Sequence, residues 1–145
     1  MPTPNKDTEK KAPRPTTESA AAKPAKGAKK ILIVEDERPL AHALELKFRH
    51  EGYDTHIAMD GVEALEEAKK NHYDVILLDL IMPRMDGFSF MQELKDQKQN
   101  TPIIILSNLG QDEDRQRAKD LGALEYYVKS NTPIIDIVKR VSSVA

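Results

Sequence analysis

Cysteine is absent from the 145 residues, so disulfides, thiolate metal sites and a cysteine nucleophile are excluded. No apolar stretch approaches the ~20 residues that a membrane-spanning helix needs. The N-terminus lacks the apolar core of a secretory signal. No glycine-rich loop follows the first apolar run, residues 31–34, which disfavours a flavin or dinucleotide site. A cytoplasmic protein without a membrane span is the expectation. The length suits one domain with a sizeable core.

Large apolar residues are missing from one end of the chain. Residues 1–30 contain no Leu, Ile, Val, Phe, Tyr or Trp, and hold five of the nine prolines. They carry +5, whereas residues 31–145 carry −7. Such a segment cannot bury enough surface to offset its ordering entropy. A disordered, basic Ala/Lys/Pro-rich tail is expected over residues 1–29, with the folded domain over 30–145. The basic residues are dispersed and no aromatics interleave with them, so a solvated tether is favoured over a nucleic-acid or membrane arm.

Beyond the tail, the chain is strongly patterned. Apolar runs at 31–34, 75–78 and 103–106 read as strands buried on both faces, and mixed runs at 55–59 and 124–128 as edge strands. Helical spacing separates them. One helix has Pro39 in its first turn, with Leu40, Ala43, Leu44, Leu46, Lys47 and Phe48 in phase, and Gly52 as its stop. Asp60 and Glu63 form a capping box for a second helix to about residue 70, with Val62, Leu65 and Ala68 on its apolar face. A third runs from Phe88 to about residue 96, and a polar fourth over 112–121 is stopped by Gly122. Thr132 and Pro133 suit the N-cap and first position of a last helix, 134 to about 143. Five β-α units imply an α/β fold with a parallel sheet and helices on both faces. Right-handed crossovers and apolar central strands favour the order 2-1-3-4-5, an order the doubly wound flavodoxin-like folds share.

Ligands of such sheets bind beyond the carboxyl ends of the strands. Four polar features fall there: Glu35-Asp36, Asp79, Ser107 and Lys129. Converging carboxylates repel unless a cation joins them, and Mg²⁺ is the hard, oxygen-preferring candidate. Zn²⁺ would want histidine or cysteine, and His42, His50, His56 and His72 lie away from these strand ends. Asp79 suits a nucleophile toward a phosphoryl group, with Lys129 and the Ser107 hydroxyl as electrostatic support. Each alone reads as an ordinary surface residue; the argument rests on their falling at one end of one sheet. The loop after Asp79 is stiffened by Pro83 and closed by Gly87, which can take a positive φ.

The stretch from Asp79 to Gly87, Asp-Leu-Ile-Met-Pro-Arg-Met-Asp-Gly, resembles the phosphoacceptor segment of response-regulator receiver domains. The pattern Gly122-Ala123-x-x-Tyr126-x-x-Lys129 adds to the resemblance, which spans residues 30 to about 144. It implies that Asp79 accepts a phosphoryl group and that Asp36 and Asp79 ligate Mg²⁺ directly. The Ile81 backbone carbonyl would contribute, and Glu35 would act through water. It further implies that Ser107 and Tyr126 form a switch, remodelling the face of the fourth helix, fifth strand and fifth helix. A histidine kinase or phosphotransfer protein would be the donor, and an output protein the partner. Such a domain acts only on itself, so it is not an enzyme in the usual sense. With the last helix ending the chain, no DNA-binding domain is expected. Ile135, off the buried side of that helix, is a candidate contact for a homodimer or partner.

Two positions depart from the family pattern. Ser130 follows Lys129 where proline is usual, and Asn108 follows Ser107 where a small residue is common. The Lys129–Ser130 bond is expected to be trans, because cis costs ~3–4 kcal/mol without proline. Asn108 is expected to narrow access to Asp79. Two other readings remain: an unphosphorylated pseudo-receiver binding module, and a Mg²⁺-dependent phosphohydrolase. The latter would be expected to carry an acid/base Asp where Ile81 stands.

Overall fold

The computed structural model describes residues 27–145. The expected tail lies outside the described residues up to position 26. Five parallel strands form one sheet: β1 (Lys30–Val34), β2 (Asp54–Ala58), β3 (Val75–Leu78), β4 (Ile103–Ser107) and β5 (Glu125–Val128), in the order β2-β1-β3-β4-β5. They alternate with helices α1 (Arg38–His50), α2 (Gly61–Lys70), α3 (Gly87–Asp96), α4 (Asp112–Asp120) and α5 (Ile134–Val144), and a 3₁₀ turn (Lys129–Asn131) separates β5 from α5.

Side chains on a strand alternate between faces, so each central strand serves two cores. Leu32, Val34, Ile76 and Leu78 pack with α2, α3 and Ala118 of α4. Ile31, Ile33, Val75 and Leu77 pack with Leu44 and Phe48 of α1 and with Ile137, Val138 and Val141 of α5. The three central strands are buried almost throughout, and the edge strands are mixed. Adjacent Tyr126 and Tyr127 divide between the two cores, as alternation requires.

Local chemistry sets the helix boundaries. Asp60 Oδ1 accepts from the Glu63 N–H at 2.8 Å, while Glu63 Oε1 accepts from the Met59 N–H at 2.9 Å. The capping box is present, but its return arm reaches one residue further back than expected. The buried face of α2 is Gly61, Ala64, Leu65 and Ala68, with Val62 at its margin. Leu46, in phase by spacing, is instead half exposed on α1.

The start of α5 differs from the expectation. Pro133 is the N-cap, and Thr132 donates its hydroxyl to the Val128 carbonyl at 2.9 Å. Thr132 closes the preceding 3₁₀ turn and is spent there. Gly87 also differs, because its φ is not positive. The left-handed residue of the β3–α3 loop is Arg84, at φ 68. Glycine is required at 87 by proximity: a Cβ there would lie 2.6 Å from the Asp79 carbonyl oxygen. Gly61 is tighter still, since a Cβ would meet the Met85 carbonyl oxygen at 2.1 Å. The loop after β3 is thus pressed onto the N-terminus of α2. Asp60 fastens it there by accepting two hydrogen bonds from the Arg84 guanidinium, at 3.0 and 3.1 Å.

Candidate functional site

Parallel strands deliver their successors to one edge. The sheet ladder continues a residue past the strands, with the Asp79 N–H donating to the Val34 carbonyl and the Glu35 N–H to the Ala58 carbonyl, each at 3.0 Å. These bonds fix the backbones of the two acids side by side. Carboxylate oxygens of Glu35, Asp36 and Asp79 all lie within 4.8 Å of one another, the one such acidic or histidine group among the described residues. Glu35 and Asp79 are buried, and Asp36 is exposed.

Lys129 closes the cluster from the far side of the sheet. Its ammonium lies 2.9 Å from Glu35 Oε1, 3.0 Å from Asp79 Oδ2 and 3.3 Å from Glu37 Oε2. The Lys129–Ser130 peptide is trans, as are all peptide bonds of the described residues. The lysine stem nonetheless reaches the acids, and its side chain is only 9% exposed.

Buried acids around one cation do not share it equally. Burial pushes the Glu35 carboxyl up to about 7, and the neighbouring Asp79 charge adds to this. The Glu37 N–H and the Lys129 ammonium oppose the rise without cancelling it. Burial would lower the Lys129 ammonium, but hydrogen bonds to Glu35 and Asp79 outweigh it and hold the lysine above its ordinary value. Lys129 is therefore a fixed positive charge, whereas Glu35 titrates near neutrality.

Ile81 joins through its backbone N–H, which donates to Asp79 Oδ1 at 3.3 Å. Ser107 is fully buried, and its Oγ accepts from the Leu109 N–H at 3.3 Å. The Leu109 carbonyl in turn accepts from the Tyr126 hydroxyl. One residue of the β4–α4 loop thus touches both Ser107 and Tyr126. The Arg115 guanidinium covers the tyrosine ring at 4.9 Å. Burial raises the tyrosine hydroxyl above its ordinary value, with Asp114 contributing.

The structure therefore brings Glu35, Asp36, Asp79 and Lys129 together, joins Ile81 to them through its N–H, and links Ser107 and Tyr126 to one another through Leu109. It adds Glu37, which the acidic run 35–37 could have signalled. It also shows a contact of Asn108 that the sequence did not indicate: its side-chain oxygen accepts from the Ser130 N–H at 3.2 Å. The set of converging carboxylate oxygens, one of them open to solvent, fits a hard divalent cation that keeps part of its water shell.

Comparison with known proteins agrees with this geometry. The response regulator receiver domain family matches residues 31–142. Response regulator ArlR of Staphylococcus saprophyticus subsp. saprophyticus is 46% identical over 100 residues, covering 69% of this chain and 45% of that protein. The chain thus spans less than half the length of that curated relative. The receiver domain of Francisella response regulator 1452 superposes with TM-score 0.76 at 37% identity, covering 80% of this chain and 95% of that one. Response regulator TrrA of Thermotoga maritima, solved in complex with Mg²⁺-BeF, superposes with TM-score 0.70 at 30% identity, covering 81% and 99%. Among the described residues, no helix is long and apolar enough to cross a membrane.

Proposed function

We propose that this chain, which belongs to the response regulator receiver domain family, takes a phosphoryl group on Asp79 from the phosphohistidine of a kinase or phosphotransfer protein. The family works in two-component signal transduction, and its members gain and lose a phosphoryl group themselves instead of turning over a separate substrate. The observation that carries the reading is the contact of one fixed ammonium, Lys129, with a buried Asp79 at a strand end, 3.0 Å away.

Asp79 is steadied by its ladder bond to Val34 and by the Ile81 N–H on Oδ1. A carboxylate oxygen attacks phosphorus. The O–P bond forms as the P–N bond breaks, and that electron pair leaves with the imidazole nitrogen. Lys129 offsets charge that spreads over the transferring oxygens. A Mg²⁺ ion held by Asp36, Asp79 and the Ile81 carbonyl, with Glu35 acting through water, would supply the rest of that positive charge. The Mg²⁺-BeF complex of the Thermotoga relative supports this assignment.

The switch arises from rotation of one hydroxyl group. Ser107 Oγ now accepts from Leu109. Turning to donate to a phosphoryl oxygen would free the Leu109 N–H and loosen the loop whose carbonyl holds Tyr126. One new charged group then biases the packing of the α4–β5–α5 face. Incubation with acetyl phosphate and Mg²⁺, with intact mass as the readout, tests the reading. One added phosphoryl group is the expected result, and none would leave an unphosphorylated binding module.

Cation binding must displace any proton from the acidic cluster. Glu35, with its carboxyl at about 7 against an ordinary 4.5, is protonated in much of the metal-free population below neutrality. Calorimetric titration should therefore show apparent Mg²⁺ affinity rising from pH 5.5 to about 7 and then levelling. Glu35→Gln should flatten that rise, and an equally steep profile in the variant would exclude Glu35 as its source. A second expected outcome concerns α5, where Ile135 is 44% exposed on the side away from the core. It is proposed as a contact for a second copy or an output protein, made or strengthened once the face changes. Sedimentation velocity before and after phosphorylation should show a heavier species that Ile135→Asp abolishes. An unchanged monomer leaves the output protein as the occupant.

A further inference from the structure

The loops after β4 and β5 flank the acidic cluster, one following Ser107 and the other carrying Lys129. Their last ladder partners are Ser107 and Val128. Beyond that pairing, the Ser130 N–H donates to Asn108 Oδ1 at 3.2 Å. The bond ties the residue after Ser107 to the residue after Lys129. The turn is also closed internally by the Thr132 hydroxyl on the Val128 carbonyl. Lys129 is therefore the first residue of a short turn fixed at two points.

That matters because the lysine has alternatives. Its ammonium contacts buried Asp79 at 3.0 Å and, at 3.3 Å, Glu37, whose side chain is 57% exposed. A four-carbon stem is flexible enough to follow either acid. The ammonium reaches Glu35 at 2.9 Å as well, and the placement of the Lys129 backbone decides whether the buried pair is met along with the exposed acid. A proline at 130 would have no N–H to give Asn108, so the tie depends on both residues that depart from the family pattern.

We propose that Asn108 is a positioning residue for Lys129. By anchoring the Ser130 N–H, its side-chain oxygen fixes the backbone from which the ammonium reaches buried Glu35 and Asp79. The proposal rests on the reading of Asp79 as phosphoacceptor. An exposed hydrogen bond competes with water, so the effect is moderate.

The test compares Asn108→Leu in two backgrounds, Ser130→Ala, which keeps the N–H, and Ser130→Pro, which removes it. Phosphoryl uptake from acetyl phosphate with Mg²⁺ is measured as a function of donor concentration. In Ser130→Ala, Asn108→Leu should slow the saturating rate by about three- to tenfold, the range expected for one hydrogen bond. The half-saturating donor concentration should stay the same. In Ser130→Pro, Asn108→Leu should have no further effect. Equal slowing in both backgrounds, no slowing in Ser130→Ala, or a change confined to half-saturation would overturn the proposal. A second readout needs no phosphorylation: the Ser130 amide proton of the otherwise native chain should move upfield in Asn108→Leu. Should the native chain take up no phosphoryl group, the proposed function fails, and the amide shift alone decides whether Asn108 holds the turn.

Discussion

Asp79→Asn should abolish phosphoryl uptake while leaving the fold intact. The amide is nearly the same size and can still accept from the Ile81 N–H, so the loop after β3 keeps its seat. It lacks the ionised oxygen that attacks phosphorus. Intact mass after acetyl phosphate and Mg²⁺ should show no added group on the variant and one on the native chain. The charge change should be felt elsewhere. With one acid fewer, Lys129 retains Glu35 and Glu37, and calorimetric Mg²⁺ binding should weaken because Asp79 belongs to the oxygen cluster. A variant that still gains one phosphoryl group would move the acceptor to another residue and remove the basis of the proposed function.

Lys129→Met should separate catalysis from cation binding. Removing a preorganised positive charge from a phosphoryl-transfer site is expected to slow uptake by about 10²–10³-fold. The same change should tighten Mg²⁺, because ammonium and cation draw on the same oxygens of Glu35 and Asp79. Stability should move in two directions. Without metal, Glu35 and Asp79 lose their buried partner, a loss of up to about 3–5 kcal/mol, less whatever Glu35 regains by taking up a proton. With millimolar Mg²⁺, most of that loss should be restored, since a ligand that binds only the folded state stabilises it. Thermal melts with and without Mg²⁺ measure both. A slow variant whose Mg²⁺ affinity and melts match the native chain would show that the lysine does not share oxygens with the cation.

Much of this architecture is written in the apolar pattern. Runs such as Val75–Leu78 can lie only where both faces are covered, and the polar interruptions Thr55 and Tyr126 mark the edges. Strand order comes from those two facts with the handedness of crossovers, and strand order alone puts Glu35 next to Asp79. Features that depend on close approach between distant segments are not legible in this way. Gly87 looks like a turn glycine, yet it is required because its backbone passes the Asp79 carbonyl. Thr132 has the right chemistry for an N-cap, but a competing carbonyl, that of Val128, claims its hydroxyl. Asn108 and Ser130 each look like a defect when taken singly. They are 22 residues apart, and only the parallel pairing of β4 and β5 reveals that one supplies the acceptor the other needs.

The alternation of strand and helix has a further consequence for attachment. Chain direction is the same in all five strands, so the residue entering β1 lies at the pole of the sheet opposite the acidic cluster. Helix α5 begins just past that cluster and runs back over 11 residues, about 16 Å at the rise of an α-helix, towards that far pole. Both ends of the described chain are therefore directed away from Asp79. A tether joined to either end would leave the acceptor pole open to a donor. It would raise the local concentration of the domain around whatever it is tethered to without obstructing the surface where phosphoryl transfer takes place.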